Sequence, residues 1–337
     1  MRILLDVMGG DLPSRELVRG GVAAGRRHSV DILFAGDPRE IDPALASLGE
    51  RSGGRFDTLP SSQTIAMDDP PVKSVREKPD SSLVLGLKTL KAGDADAFVS
   101  PGNTGAVVAG SIFILERIPG IPRPGILASL PTLTGEDILV IDVGANSDCT
   151  AEQMTHFALM GTSYARDVLR IEDATCGLLN IGAERGKGNR LIADTFARLE
   201  EGPLPFTGNV EAHSLLIDRP VDVVVCDGFV GNVFLKAVEG GISAVTSLLK
   251  RTIRGRALAM VGALLMSGSF SRVGRAMSYQ ERGGAPLLGV GGVVVIAHGR
   301  SDAVAIGSAI EVAKREVEVG LLDHLSAGMA GWGTHGS

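Results

Sequence analysis

The alternation of strand and helix along this chain is clearest in DVVVCDGFVGNVFLK, residues 222–236. An apolar run of strand length, Val221–Cys226, stops at Asp227 and a glycine-containing turn, and helical spacing of apolar residues follows over residues 232–249. A run that is apolar on both sides of the strand is typical of a parallel sheet covered by helices on both faces. This segment therefore predicts one strand–turn–helix unit of an α/β protein.

The same unit recurs throughout the sequence. Further apolar runs of strand length lie at Ile3–Leu5, Val30–Ala35, Ala97–Val99, Ile138–Ile141, Gly177–Ile181 and Val293–Ala297. Helical spacing is found between most of them, for example at Ser81–Lys91, Gly105–Ile114 and Gln153–Leu169. We therefore predict a three-layer αβα fold with a mostly parallel sheet. It forms a single domain over residues 1–325, followed by a flexible tail over residues 326–337.

Composition excludes several classes of protein. The 337 residues are 44% apolar and 21% charged, which is ordinary for a globular protein, and the net charge of −6 disfavours nucleic acid as a partner. The three cysteines lack the spacing of a disulfide framework or a zinc site. No stretch approaches the roughly 18–20 apolar residues of a membrane-spanning helix, and the N-terminus lacks the apolar core of a signal peptide. We therefore expect a cytoplasmic protein.

The loops that follow the strands are the candidates for a functional site, because ligands of open parallel sheets bind beyond the carboxyl ends of the strands. SPGNTG, residues 100–105, opens an apolar helix with small residues, an arrangement that suits an anion. Such a loop is also a common plain turn. Gly186-Lys187-Gly188-Asn189 follows another strand but is not a nucleotide-triphosphate loop. Five loops of this kind together predict a polar, anion-binding cleft at one edge of the sheet.

Ten strings in order resemble the acyl-carrier-protein-dependent phosphate acyltransferase family of bacterial phospholipid synthesis. They are DVMGGD, SSLVLGLK, GNTGA, DVGANSDC, HFALMG, LLNIGAERGKGN, GNVE, DVVVCDGFVGNVFLK, GGAPLLGV and AHGRSDA, and they extend from residue 6 to about residue 303.

The resemblance implies a fold similar to the isocitrate and isopropylmalate dehydrogenases and the phosphotransacetylases. It also implies a homodimer without a metal or nucleotide cofactor. The implied reaction moves a fatty acyl group from acyl carrier protein to inorganic phosphate, and a membrane glycerol-3-phosphate acyltransferase would consume the acyl phosphate.

This chemistry gives each candidate residue a predicted role. Phosphate is already anionic and a thiol leaves readily, so positioning and charge stabilisation matter more than a strong base. Lys187 would neutralise phosphate and pass a proton to the leaving sulfur, and Asp227 would orient Lys187. Asn180 and Asn146 would donate to the developing oxyanion. Substrate would be held by Gly102, Asn103, Thr104, Gly105, Asn189, Asn232 and His298.

A basic, apolar segment lies at residues 240–280, where no acidic residue and six basic ones occur. Within it, residues 257–266 are uninterrupted by charge but too short to span a bilayer. This predicts a helical segment for reversible association with the inner face of the plasma membrane, or for docking acidic carrier protein. Packing in a dimer interface is the alternative. The predicted contact residues are Lys250, Arg251, Arg254, Arg256, Leu258 and Leu264.

Three other functions compete with this one. A short-chain phosphate acyltransferase would use coenzyme A thioesters in place of acyl carrier protein. A non-catalytic, membrane-associated scaffold would keep the cleft only for binding. A dehydrogenase on the related fold is disfavoured, because no GxGxxG with a distal acid follows the first strand.

Overall fold

A computed structural model describes residues 1–49, 53–268, 270 and 282–332 of the chain. Within these ranges eleven strands form one sheet. The strands are β1 (Arg2–Asp6), β2 (Asp31–Gly36), β3 (Phe56–Pro60), β4 (Ala97–Ser100), β5 (Gly125–Pro131), β6 (Asp137–Ile141), β7 (Cys176–Asn180), β8 (Phe206–Glu211), β9 (Val223–Val225), β10 (Ala285–Leu288) and β11 (Val293–Ile296).

Helices cover both faces of this sheet. Those in the described ranges are α1 (Ser14–His28), α2 (Pro38–Leu48), α3 (Pro71–Glu77), α4 (Ser82–Lys91), α5 (Thr104–Ile114), α6 (Ala151–Asp167), α7 (Arg190–Glu201), α8 (Ala212–Asp218), α9 (Gly228–Ile253), α10 (Ala257–Leu265), α11 (Ala303–Glu318) and α12 (Leu321–Trp332).

Alternation along the strands produces the three layers. In β1, Ile3 and Leu5 belong to the buried cluster that contains residues of α1 and α11. Leu4 between them belongs to the cluster that contains residues of α4 and α5. Both faces of the strand are therefore buried, as its continuous apolar run predicts. The predicted α/β fold with three layers is confirmed.

The strand order is β3-β2-β1-β4-β11-β10-β5-β6-β9-β7-β8. Seven of the ten neighbouring pairs are parallel, which confirms a mostly parallel sheet. The three antiparallel pairs, β11–β10, β10–β5 and β5–β6, are consecutive in the middle. These three antiparallel pairs separate two blocks of parallel strands. Because three is an odd number of reversals, the strands of the first block (β1, β2, β3, β4 and β11) run opposite to those of the second block (β6, β7, β8 and β9).

Four strands are absent from the sequence prediction, and each contains a residue that disfavours a strand. Pro60 ends β3, Pro131 ends β5, and Pro286 lies within β10. Gly208, with φ of +105°, interrupts β8. Proline cannot donate to the sheet and glycine adds no side-chain packing, so pattern alone does not mark these segments as strands. Two of the four, β5 and β10, are the strands that reverse the sheet.

The predicted flexible tail begins too early. Helix α12 extends to Trp332, and its Leu325 and Met329 are buried against the core of the second block. The apolar side chains of residues 321–329 therefore hold this helix in place. Residues 333–337 lie outside the described part of the chain.

Helices α9 and α10 contain the described part of the predicted basic segment. Residue 269 and residues 271–280 of that segment, with Arg272 and Arg275, lie outside the described residues. Across the described ranges, no helix combines the length and apolar character that a membrane crossing requires.

Candidate active site

The loops after the strands form two separate groups. The first loop group consists of residues 6–11, 100–105 and 297–302, after β1, β4 and β11. The second loop group consists of residues 142–148, 180–189 and 226–232, after β6, β7 and β9. Among the described residues, no hydrogen bond or ion pair joins the two groups. Because the two blocks run in opposite directions, the prediction that all these loops leave one edge of the sheet is wrong.

The first loop group is held together by close backbone approach. A methyl group on Gly9 would lie 2.6 Å from Gly102 Cα, and one on Gly10 would lie 3.2 Å from the Gly299 carbonyl oxygen. The Asp11 amide donates to that same carbonyl oxygen over 2.7 Å. Glycine is therefore required sterically at position 9, and a side chain at position 10 would be tightly packed against the Gly299 carbonyl oxygen.

A buried carboxylate organises the first loop group. Asp6 accepts hydrogen bonds from the Met8 amide (3.0 Å) and from Ser100 Oγ (2.8 Å). Ser100 Oγ in turn accepts from the Gly102 amide at 3.1 Å. Burial raises the pKa of Asp6, and the donated hydrogen bonds oppose that shift. Asp6 thus fixes two loops relative to each other.

Asn103 is structural in this arrangement. Its Oδ1 accepts from the Ala106 amide and caps α5, and its Nδ2 donates to the carbonyl oxygens of Met67 and Asp69 at 3.0 Å. The side-chain amide of Asn103 is therefore fully used within the protein. It is not free to bind a ligand, contrary to the prediction. The amides of Thr104 and Gly105 at the helix N-terminus donate to no other group within the described part of the chain. These two amides are free donors at the start of the helix.

A second buried carboxylate organises the second loop group. Asp142 is fully buried, and burial raises its pKa while donated hydrogen bonds oppose the shift. Its oxygens accept from the amides of Ile126, Gly144, Ala145 and Asn146 and from Asn146 Nδ2, over 2.8–3.0 Å.

The start of α9 packs directly on this loop. The Gly228 amide donates to the Asn146 carbonyl oxygen at 2.8 Å, and a Cβ on Gly231 would overlap the Asp142 carbonyl oxygen. Asn232, one residue later, lies beside Gly144, where an added methyl group would be 3.7 Å from its amide group. Asn232 therefore packs against the loop that contains Asn146.

Asn146 has no amide hydrogen left for an oxyanion. Its Nδ2 donates to the Pro124 carbonyl oxygen at 2.7 Å and to Asp142 Oδ2 at 2.9 Å. An NH₂ group offers two donors, and both are used. In this structure the predicted donation from Asn146 is therefore not possible without breaking one of these bonds.

Lys187 is the free cation of the second loop group. Its side chain is exposed and its Nζ makes no hydrogen bond or ion pair to any described residue. Asn180 lies beneath it and donates from Nδ2 to the Lys187 carbonyl oxygen at 3.0 Å, which leaves one amide hydrogen of Asn180 unused. The predicted contact of Lys187 with Asp227 is not formed in the structure, where Asp227 Oδ1 accepts from the Val230 amide and caps α9.

Sequence relatives identify the family. A family model described as "Fatty acid synthesis protein" matches residues 1–323. A phosphate acyltransferase of Heliobacterium modesticaldum is 45% identical over 320 residues, 94% of each chain. A phosphate acyltransferase of Desulfitobacterium hafniense is 42% identical over 325 residues, 96% of each chain. The chain belongs to this phosphate acyltransferase family. It is an acyltransferase.

Solved structures agree on the fold. A phosphotransacetylase from Streptococcus pyogenes superposes with a TM-score of 0.62 at 16% identity, covering 94% of each chain. A 4-hydroxythreonine-4-phosphate dehydrogenase from Klebsiella pneumoniae has a TM-score of 0.54 at 12% identity, covering 94% of this chain and 99% of the other. At these identities the likeness concerns the fold alone. It confirms the predicted relation to phosphotransacetylase-like folds.

The predicted site residues of this acyltransferase divide between the two groups. The first contains Gly102, Asn103, Thr104, Gly105 and His298, whose exposed ring accepts from the Arg300 amide at Nδ1. The second contains Asn146, Asn180, Lys187, Asn189, Asp227 and Asn232. Within it, Asn189 Oδ1 caps α7 by accepting from the Ile192 amide. The prediction that His298 and Asn232 line the same pocket has no contact to support it among the described residues.

The two organising carboxylates received no role from sequence reasoning. Asp6 is the last residue of a buried strand and Asp142 directly follows one, and each is followed by Val and then, within two residues, by Gly. An acid at the end of a fully apolar run is costly unless its oxygens are paired, and the glycine-rich loop supplies the amides. This shared sequence pattern indicates a buried carboxylate that is held by the amides of the loop after it.

Proposed function

We propose that this acyltransferase transfers a fatty acyl group from acyl carrier protein to inorganic phosphate and releases acyl phosphate for phospholipid synthesis. The observation that carries the proposal is the family match over nearly the whole chain. Free anion donors in the first loop group and a free lysine in the second add chemical support.

Phosphate binds at the N-terminus of α5 in this proposal. The unpaired amides of Thr104 and Gly105 point along the helix axis, where the partial positive charge of the helix end favours an anion. The committed side chain of Asn103 and the glycine contacts hold these amides in place. The proposed phosphate-binding site therefore consists of backbone amides.

The thioester lies against the second loop group. Neighbouring strands rotate by roughly 20–25°, and four pairings separate β4 from β6. The accumulated rotation of β6 relative to β4 is on the order of 90°. The second loop group is therefore directed towards a face of the first block and does not point away from it. We place both groups around one cleft on this basis.

The transfer needs one nucleophilic attack and one proton movement. A phosphate oxygen attacks the thioester carbonyl carbon, the carbon–sulfur bond breaks, and the proton of monohydrogen phosphate ends on the sulfur of the carrier. Lys187 neutralises charge on phosphate and relays this proton. The unused amide hydrogen of Asn180 is placed to stabilise the oxyanion. Asp227 acts as a helix cap that fixes the wall beside Lys187.

Trapping of the product tests this proposal directly. Purified protein is mixed with long-chain acyl carrier protein and phosphate, and hydroxylamine converts any acyl phosphate to a hydroxamate. Hydroxamate that requires phosphate is expected. If acetyl-coenzyme A is used instead and long-chain acyl carrier protein is not, the enzyme is a short-chain acyltransferase. If neither thioester gives hydroxamate, a scaffold role replaces catalysis.

The consecutive helices α9 and α10 are our candidate for peripheral membrane contact. Leu258 is 91% exposed and Leu264 75% exposed, and Lys250, Arg251, Arg254 and Arg256 are exposed beside them. Apolar side chains flanked by cations suit the interface of an anionic bilayer. The same cations can attract acidic acyl carrier protein, and the chain would act as a cytoplasmic homodimer that returns to the membrane to deliver its product.

Flotation with vesicles containing anionic lipid tests this membrane contact. Replacement of both Leu258 and Leu264 by Glu should abolish co-flotation, because two charges would enter the apolar interface. Leu133→Glu serves as the control, because Leu133 is also a largely exposed leucine, at 72%. Unchanged flotation of the double variant would exclude these leucines of α10 as the lipid contact.

A further inference from the structure

A cavity of about 650 Å³ opens beside the second loop group, between the end of β7, the start of α7 and the first two turns of α9. Apart from Asn180, Asn189 and Asp227, its wall is apolar. The larger apolar side chains that line it are Leu179, Ile181, Ile192, Phe229, Val233 and Phe234.

Much of this apolar wall is open to solvent. Ile181 is 82% exposed, Phe229 64% and Val233 56%. Phe229 and Val233 are four residues apart on α9 and therefore share one face of the helix. Apolar clusters of this kind at a concave surface mark a ligand or an interaction site.

The polar loop that carries Lys187 borders this cavity. A methyl group on Gly188 would lie 2.8 Å from Asn180 Oδ1, and Asn180 itself lines the cavity. A free cation and amide donors thus lie next to a hydrocarbon-like surface. A ligand that matches both parts has a polar reactive head and an apolar chain.

We propose that this cavity binds the hydrocarbon chain of the acyl group and determines the chain length that the enzyme prefers. The inference rests on the proposed function, which places the thioester beside Lys187. The cavity volume lies within the roughly 300–1,000 Å³ of small-ligand pockets. Burial of each methylene raises affinity by about fourfold, so loss of room for two of them costs more than tenfold.

Val233→Trp tests the proposal because Val233 faces the cavity and is half exposed, so the added bulk enters the cavity and not the core. We expect kcat/KM for hexadecanoyl carrier protein to fall at least tenfold, while that for butyryl carrier protein changes little. Leu133→Trp is the matched control, since Leu133 is exposed in the turn between β5 and β6, outside the cavity. Urea midpoints of both variants confirm that they are folded.

Binding of cis-parinaric acid, a fluorescent fatty acid, supplies a readout without turnover. The unchanged protein and Leu133→Trp should bind it, and Val233→Trp should bind it at least tenfold more weakly. If this result is obtained and no acyl phosphate forms, the cavity assignment stands and the proposed function fails.

Other outcomes overturn the cavity assignment. If acyl phosphate forms and Val233→Trp has the chain-length profile of Leu133→Trp, the chain binds elsewhere and only the proposed function survives. Equal binding of parinaric acid by the two variants would likewise mean that the chain binds elsewhere. If parinaric acid does not bind and Val233→Trp alters the oligomer mass in light scattering, a second copy of this chain covers the surface instead.

Discussion

The two loop groups share one construction and differ in what they leave free. Each is organised by a buried aspartate at the end of a strand, Asp6 in the first and Asp142 in the second. In the first, the backbone amides of Thr104 and Gly105 are donors without a partner among the described residues. In the second, the side chains of Lys187 and, in part, Asn180 are such donors, next to an apolar cavity.

This difference teaches that a polar residue in a glycine-rich loop is not by itself a ligand-binding residue. Asn103 and Asn146 have committed amide groups, whereas Asn180 keeps one hydrogen unused. A buried side-chain amide must find hydrogen-bond partners within the protein, and its hydrogens are then unavailable to substrate. The first group suits an anion bound by backbone, and the second suits a larger, partly apolar molecule.

The largest effect is expected at the contact between α9 and the Asp142 loop. Gly231→Ala would force a methyl group into the Asp142 carbonyl oxygen, at a cost of about 3 kcal/mol in the free energy of unfolding. Gly186→Ala is the control, because no atom lies within 4 Å of its added methyl group. Urea denaturation of both variants measures this. Equal stability would mean that the second loop group is not built on this close approach.

Next in size is the loss of the free cation. Lys187→Ala should reduce turnover about a hundredfold or more, or roughly 2.7 kcal/mol in the activation barrier, with the urea midpoint unchanged. Arg190→Ala removes a neighbouring charge whose side chain is 94% exposed, and it should retain activity. Near-normal turnover of Lys187→Ala would remove this residue from the mechanism.

A smaller effect is expected in the first loop group. Thr104→Pro deletes one free amide, and proline is well accepted at the first position of a helix. The preceding Asn103 already has an extended ψ of 111°, as a residue before proline requires. The KM for phosphate should rise roughly tenfold, which corresponds to one hydrogen bond to a charged group. Thr104→Ala keeps the amide and should leave KM unchanged; a rise in both variants would assign the effect to the hydroxyl.

The smallest effect is expected at Cys149. Burial raises the pKa of this thiol to about 11, and nearby aspartates add to the shift. At pH 8 only about one thiol in a thousand is then ionised, too few for an efficient nucleophile. Cys149→Ser should keep turnover within about twofold, and the half-time of Cys149 modification by a thiol reagent should shorten only at high pH. A large loss of activity would instead indicate covalent catalysis by this thiol.

Apolar runs and glycine-rich turns were sufficient to predict the three layers, seven of the eleven described strands and the loops that carry the candidate residues. They also placed the strand and helix around Asp227, although with other bounds. The strand predicted over Val221–Cys226 is β9 (Val223–Val225), and the helix predicted over residues 232–249 is α9 (Gly228–Ile253), which already includes the glycines of the predicted turn. These features are local, because periodicity, caps and turns depend on residues close in sequence.

The tertiary structure alone decided how those loops are distributed. Two strands that contain or end in proline, β5 and β10, enter the middle of the sheet and reverse its direction, which separates the loops into two groups. It also decided which asparagines are committed and where an apolar cavity opens beside Lys187. Pairing partners and side-chain hydrogen bonds join residues far apart in the chain, so local patterns carry no information about them.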